Sequence, residues 1–89
     1  MARQKKITVN GIDFTLQSVS PRWYLDTNDD CGMTGRGKRH SADYMDRMIK
    51  NCVISPSEIA SAGLAYFDEK DDIKTPEELI SEIESFLRE

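Results

Sequence analysis

The chain has 89 residues, 38% of them hydrophobic and 31% charged, with a formal net charge of −4. That is enough for one small domain with a modest core, and no stretch approaches the roughly 20 apolar residues a membrane span requires. Residues 1–50 carry nine Lys/Arg against six Asp/Glu, and residues 51–89 carry three against ten, so an acidic second half argues against a general nucleic-acid binder, which needs a basic face.

Met1 to Gln4 has no apolar leader, so the expected compartment is the cytoplasm. The strongest local signal follows at once. Lys6-Ile7-Thr8-Val9 and Ile12-Asp13-Phe14-Thr15-Leu16 alternate apolar and polar residues around Asn10-Gly11. Asn-Gly tolerates the positive φ of a type I′ turn, which predicts a hairpin over 5–17. A two-residue loop sets Val9 opposite Ile12 and Ile7 opposite Phe14. Ile7, Val9, Ile12, Phe14 and Leu16 then share one side, with Thr8, Asp13 and Thr15 on the other.

Ser20-Pro21 reads as a helix N-cap followed by proline at the first helical position, predicting a helix over about 21–30. Residues 31–40 hold Gly32, Gly35 and Gly37 with Arg36, Lys38 and Arg39, the composition of a flexible basic loop. Ser41 is the expected cap of a helix over about 42–53. There Tyr44, Met45, Met48, Ile49 and Cys52 share one face, while Asp46, Arg47 and Lys50 lie opposite. Val53-Ile54 fits either the end of that helix or a brief extended segment. Ser57 to Phe67 follows no clear period, because Gly63 interrupts its apolar residues. After the acidic turn Asp68 to Asp72, Thr75-Pro76-Glu77-Glu78 has the form of a capping box. It opens a helix over about 76–88, with Leu79, Ile80, Ile83, Phe86 and Leu87 as its apolar stripe. The expected architecture is α+β: a single domain over 1–89, its N-terminal β-hairpin packed against three to four short α-helices.

Several chemical motifs fail on inspection. Gly32-Met33-Thr34-Gly35-Arg36-Gly37-Lys38 matches seven positions of the phosphate-cradling loop G-x-x-x-x-G-K-[ST], but Arg39 stands where the magnesium-binding hydroxyl belongs. No buried strand precedes it. Cys31 and His40 flank the same segment without an orienting third residue. Asp29-Asp30 and Asp71-Asp72 are acidic pairs of the solvated kind. Cys31 and Cys52 form no paired-ligand spacing, and one histidine cannot complete a Cys/His zinc site; both are read as reduced thiols. No catalytic, cofactor or metal site is assigned, and the chain is read as a non-enzyme. What remains is apolar surface. Trp23, Tyr24, Tyr66 and Phe67 are the rigid side chains interfaces favour, and they are the candidate protein-binding residues. In so small a chain at least half of them are expected to be core.

The run Lys6-Ile7-Thr8-Val9-Asn10-Gly11, continuing as Phe14-Thr15-Leu16-Gln17-Ser18-Val19-Ser20-Pro21-Arg22-Trp23-Tyr24, resembles the tail assembly chaperones of long-tailed bacteriophages that infect Gram-positive hosts. The likeness continues through Tyr44-Met45, Val53-Ile54-Ser55-Pro56 and Leu79-Ile80-Ser81-Glu82-Ile83-Glu84-Ser85-Phe86-Leu87. The basic glycine-rich segment from Gly32 to His40 departs from the family. The resemblance implies a factor made in the host cytoplasm that binds and solubilises the tape measure protein and is absent from the mature virion. It also implies that a longer form, made by ribosomal frameshifting, recruits the tail tube protein. Self-association is left open. The alternatives are a head–tail connector or adaptor module, and a small nucleic-acid-binding protein using residues 36–40.

Overall fold

The computed structural model describes residues 3–30 and 42–89. The expectations for Cys31, the basic segment 31–40 and the Ser41 cap lie outside the described residues.

Two strands, β1 (Gln4–Val9) and β2 (Ile12–Gln17), pair antiparallel with Ile7 opposite Phe14 and Val9 opposite Ile12. Asn10 and Gly11 take φ of 50° and 81°, which lets a two-residue turn follow the twist of the strands. The inward residues Val9, Phe14 and Leu16 are buried, with Ile7 and Ile12 packed at the margin. On the outer face the Thr8 hydroxyl donates to Asp13 Oδ1 at 2.8 Å.

Helix α1 (Pro21–Asp30) starts where Ser20 Oγ accepts the Trp23 amide at 3.1 Å. Helix α2 (Ala42–Cys52) buries Tyr44, Met45, Met48, Ile49 and Cys52 on one face. The chain then turns directly into β3 (Val53–Ser55), antiparallel to β2 with Leu16 opposite Val53. The expected hairpin is therefore two strands of a three-stranded sheet in the order β1-β2-β3. Val53-Ile54 resolves as strand because it satisfies backbone groups on the far edge of β2 while Val53 enters the core at 2% exposure.

The stretch without a clear period is two short helices, α3 (Ser57–Ala62) and α4 (Ala65–Asp68). They are divided at Gly63, whose φ of 65° ends α3 while its amide donates to Ile59 O at 2.8 Å. That division brings the helical segments among the described residues to five rather than three or four. The last, α5 (Lys74–Leu87), buries Leu79, Ile80, Ile83 and Phe86.

Its start differs from the capping box read in the sequence. Thr75 lies inside the helix, 3% exposed, with no side-chain cap bond of its own. Asp72 Oδ1 instead accepts the Thr75 amide at 3.1 Å, and Thr75 Oγ1 accepts a bond from Asn10 Nδ2 at 3.0 Å. The threonine hydroxyl accepts from the hairpin turn, and the carboxylate three residues upstream does the capping. Bonds from Thr75, side chain and then main chain, hold the Asp72 carboxyl below its ordinary value.

The chain is thus α+β. Val9, Phe14, Leu16 and Val53 of the sheet meet the apolar faces of α2 and α5 in one core, closed at one side by Ile59 and Phe67.

Candidate functional site

The four candidate aromatics fall on two helices with different exposure. Phe67 is 1% exposed and belongs to the core, which corrects its assignment as a binding residue. It lies on α4 at the junction with α3, so its ring is consumed in holding that corner. Its neighbour Tyr66 is half-buried and meets it edge-on, centroids 5.2 Å apart, with Lys70 Nζ 4.9 Å from the Tyr66 ring. Trp23 and Tyr24 are half-buried on α1. Helix α1 contacts α2, and α4 contacts α3.

Around Tyr24 lies a groove of about 360 Å³, lined by Arg3, Ser18, Val19, Pro21, Tyr24, Leu87 and Arg88. The segment from Gln17 to Pro21 crosses from sheet to helix, leaving Val19 and Pro21 beside the first turn of α1. The end of α5 arrives from the other side of the molecule with Leu87 and Arg88. Val19, Pro21, Leu87 and the Tyr24 ring supply an apolar lining, and two guanidinium groups stand at its margin.

Those arginines are held in place. Arg3 donates through Nη1 to Glu89 O at 3.1 Å and through Nη2 to Leu87 O at 3.4 Å, and its guanidinium carbon lies 5.0 Å from the Phe86 centroid. Arg88 donates through Nη1 to Glu84 O at 3.1 Å and through Nη2 to the Tyr24 hydroxyl at 3.4 Å. Behind Tyr24, the fully buried Tyr44 donates its hydroxyl to Glu84 Oε2 at 2.6 Å. Burial first, then Glu84 and Tyr24, push the Tyr44 phenol far above its ordinary value. It stays neutral and acts as a donor that pins α2 to α5. The wall carrying Tyr24 is therefore backed by a polar cluster rather than by loose packing.

No protein-family model matches the chain, and no curated protein and no solved structure does either.

Leu25 lies on the same helix as Tyr24, outside the groove lining. It is 61% exposed on α1, next in sequence to Tyr24. The sequence carries a signal for it. Trp23, Tyr24 and Leu25 are three large apolar residues in succession, and successive helical side chains point about 100° apart, so one helix face cannot bury all three. The arginines and Leu87 had no such signal, because their proximity to Val19 arises from the fold.

Cys52 is fully buried, and desolvation pushes its thiol up to about 12, which makes it a packed side chain rather than a nucleophile. Among the described residues no three of His, Cys, Asp and Glu are grouped so as to hold a metal ion, and no helix is long and apolar enough to cross a membrane. The arrangement can accept an apolar side chain of a partner against Val19, Pro21, Tyr24 and Leu87, with polar groups of that partner meeting the guanidiniums.

Proposed function

We propose that this chain is a tail assembly chaperone of a long-tailed bacteriophage, and that it binds the tape measure protein in the host cytoplasm and keeps it soluble until the tail tube forms around it. The observation that carries the reading is the apolar groove beside Tyr24 together with the exposed Leu25 on the same helix. A long helical client with an apolar seam presents side chains at helical spacing, and such a seam is recognised by a groove with apolar walls and a polar margin. Of the run that resembles the family, Ser18, Val19, Pro21 and Tyr24 line this groove.

Trp23 and Tyr24 are the anchors, Leu25 extends the contact, and Tyr66 on α4 is a further candidate. The acidic second half keeps the complex soluble. A longer frameshifted form recruits the tail tube protein, and the chaperone is absent from the finished virion.

Co-expression with the tape measure protein tests this. The client stays in the soluble fraction with the wild-type chain, and Leu25→Asp or Tyr24→Ala returns it to the pellet. A tape measure protein equally insoluble with and without this chain removes the proposal. Recovery of the chain from purified virions would point instead to a connector.

A further inference from the structure

We infer that β1 is a self-pairing edge: two copies of this chain join β1 to β1, antiparallel about a two-fold axis at Ile7, so that one sheet runs through both. The inference stands apart from the client reading and uses a different face.

The sheet order leaves one side of β1 without a strand among the described residues. Which backbone groups face that side follows from the register. Arg3 O accepts the Ser18 amide at 2.9 Å, and Lys5, Ile7 and Val9 stand opposite Leu16, Phe14 and Ile12. Hydrogen-bonded positions alternate along an antiparallel pair, so the odd-numbered residues bond to β2. The amides and carbonyls of Gln4, Lys6 and Thr8 therefore point outward, and all three residues are exposed. Such an edge is a template for another strand.

Charge names the strand it fits. The start of β1 is cationic, with Lys5 and Lys6. Its end is flanked by acid, because α5 runs back along it: Asn10 holds Thr75 at one end, and Lys5 holds Glu89 at 2.6 Å at the other. Thr8, Val9 and Asn10 share a groove of about 270 Å³ with Glu78, Ser81 and Glu82 of α5. Neither Glu78 nor Glu82 is in an ion pair among the described residues. An edge that is positive at one end and negative at the other is complementary to its own copy turned by a two-fold axis.

The same charges exclude two registers. An axis at Lys5 or at Lys6 sets a lysine directly against its counterpart, which is unfavourable. An axis at Ile7 sets Ile7 against Ile7, lets the outward groups of Lys6 bond to those of Thr8, and places Lys5 opposite Val9 beside Glu78 and Glu82 of the other copy.

Sedimentation of the full chain over a concentration series is the first test. A reversible monomer–dimer equilibrium that weakens at high salt is expected; a monomer at every concentration up to millimolar overturns the inference. Lys6→Pro removes an outward amide without touching a β1–β2 bond, so it abolishes the dimer and keeps the helical circular dichroism. Should that variant fail to fold, Glu78→Lys with Glu82→Lys, on an exposed helix face, raises the dissociation constant about tenfold or more. A dimer indifferent to these changes also overturns it. In a Cys31→Ser background, Ile7→Cys forms a disulfide-linked dimer under mild oxidation, because a non-hydrogen-bonded pair brings the two Cα atoms to about 4.5 Å. Asp13→Cys, on β2, does not. Failure of Ile7→Cys to link, or equal linking by Asp13→Cys, sinks the proposed register and with it the edge.

Discussion

Asp46 on α2 accepts the Leu64 amide at 2.9 Å and lies directly over the α-carbon of Gly63, so one carboxylate closes the corner between α3 and α4. A β-carbon on Gly63 would meet Asp46 Oδ1 and come within 2.9 Å of Lys50 Cε. Lys50 holds the same carboxylate at 3.2 Å. The polar face of α2 is thus partly structural: it is the platform on which the 57–67 segment folds back.

Gly63→Ala is accordingly expected to destabilise the protein. The backbone there, at φ 65° and ψ −139°, is sparsely open to L side chains and costs about 1–3 kcal/mol. Displacing Asp46 forfeits about 1 kcal/mol more through the Leu64 bond. Urea unfolding measures the sum, and a midpoint unchanged from wild type would refute this account of the corner.

Asn10 does two jobs that substitution can separate. Asn10→Gly keeps the positive φ but loses the bond to Thr75 and loosens the unfolded chain, at a cost of about 1–2 kcal/mol. Asn10→Ala loses the bond and also places a β-carbon in the left-handed region, for about 1–2 kcal/mol in addition. The expected order of thermal stability is wild type, then glycine, then alanine. Equal stabilities for the two variants would show that the turn geometry contributes nothing.

Alkaline pH should unfold this protein earlier than composition suggests. The Cys52 thiol has an ordinary value of 9.0 and stands at about 12 in the fold. A folded value above the unfolded one means the contribution is intact below about 9 and is lost as pH rises towards 12. Within that window the unfolded state ionises and the folded state does not, at about 1.4 kcal/mol per pH unit. Tyr44, raised by burial above its ordinary 10.0, adds to the loss from that pH upward. Denaturation midpoints from pH 8 to pH 11 should fall in the wild type and fall less steeply in Cys52→Ala. Parallel curves would contradict the burial of the thiol.

The two apolar residues Leu25 and Phe67 should respond in opposite ways. Leu25→Asp changes an exposed side chain and shifts stability by no more than about 0.5 kcal/mol. Phe67→Ala empties a core position and costs about 3–5 kcal/mol. Chemical denaturation of both variants distinguishes surface from core; comparable losses would place Leu25 in the core too.

Much of the fold was legible in the sequence where a pattern and a local rule agreed. Alternation on either side of Asn10-Gly11 determined the hairpin and its register, because a turn with two positive φ values admits one pairing of the flanking residues. Ser20-Pro21 located the start of α1, and the spacing of Tyr44, Met45, Met48, Ile49 and Cys52 determined the buried face of α2. Each of these rests on neighbours in the chain, whose geometry the backbone sets without help.

Only the tertiary structure decided the rest. Val53-Ile54 becomes a strand because β2 has backbone groups left to satisfy, and Thr75 gives up its capping role because Asn10, sixty-five positions away, reaches its hydroxyl. Phe67 is core and Leu25 is surface although both are simply apolar in sequence. The groove at Tyr24 exists because the end of α5 returns beside residues 18–21. Local pattern encodes which side chains share a face; what that face meets depends on contacts between distant segments, and these are decided by competition for burial and for hydrogen-bond partners across the whole chain.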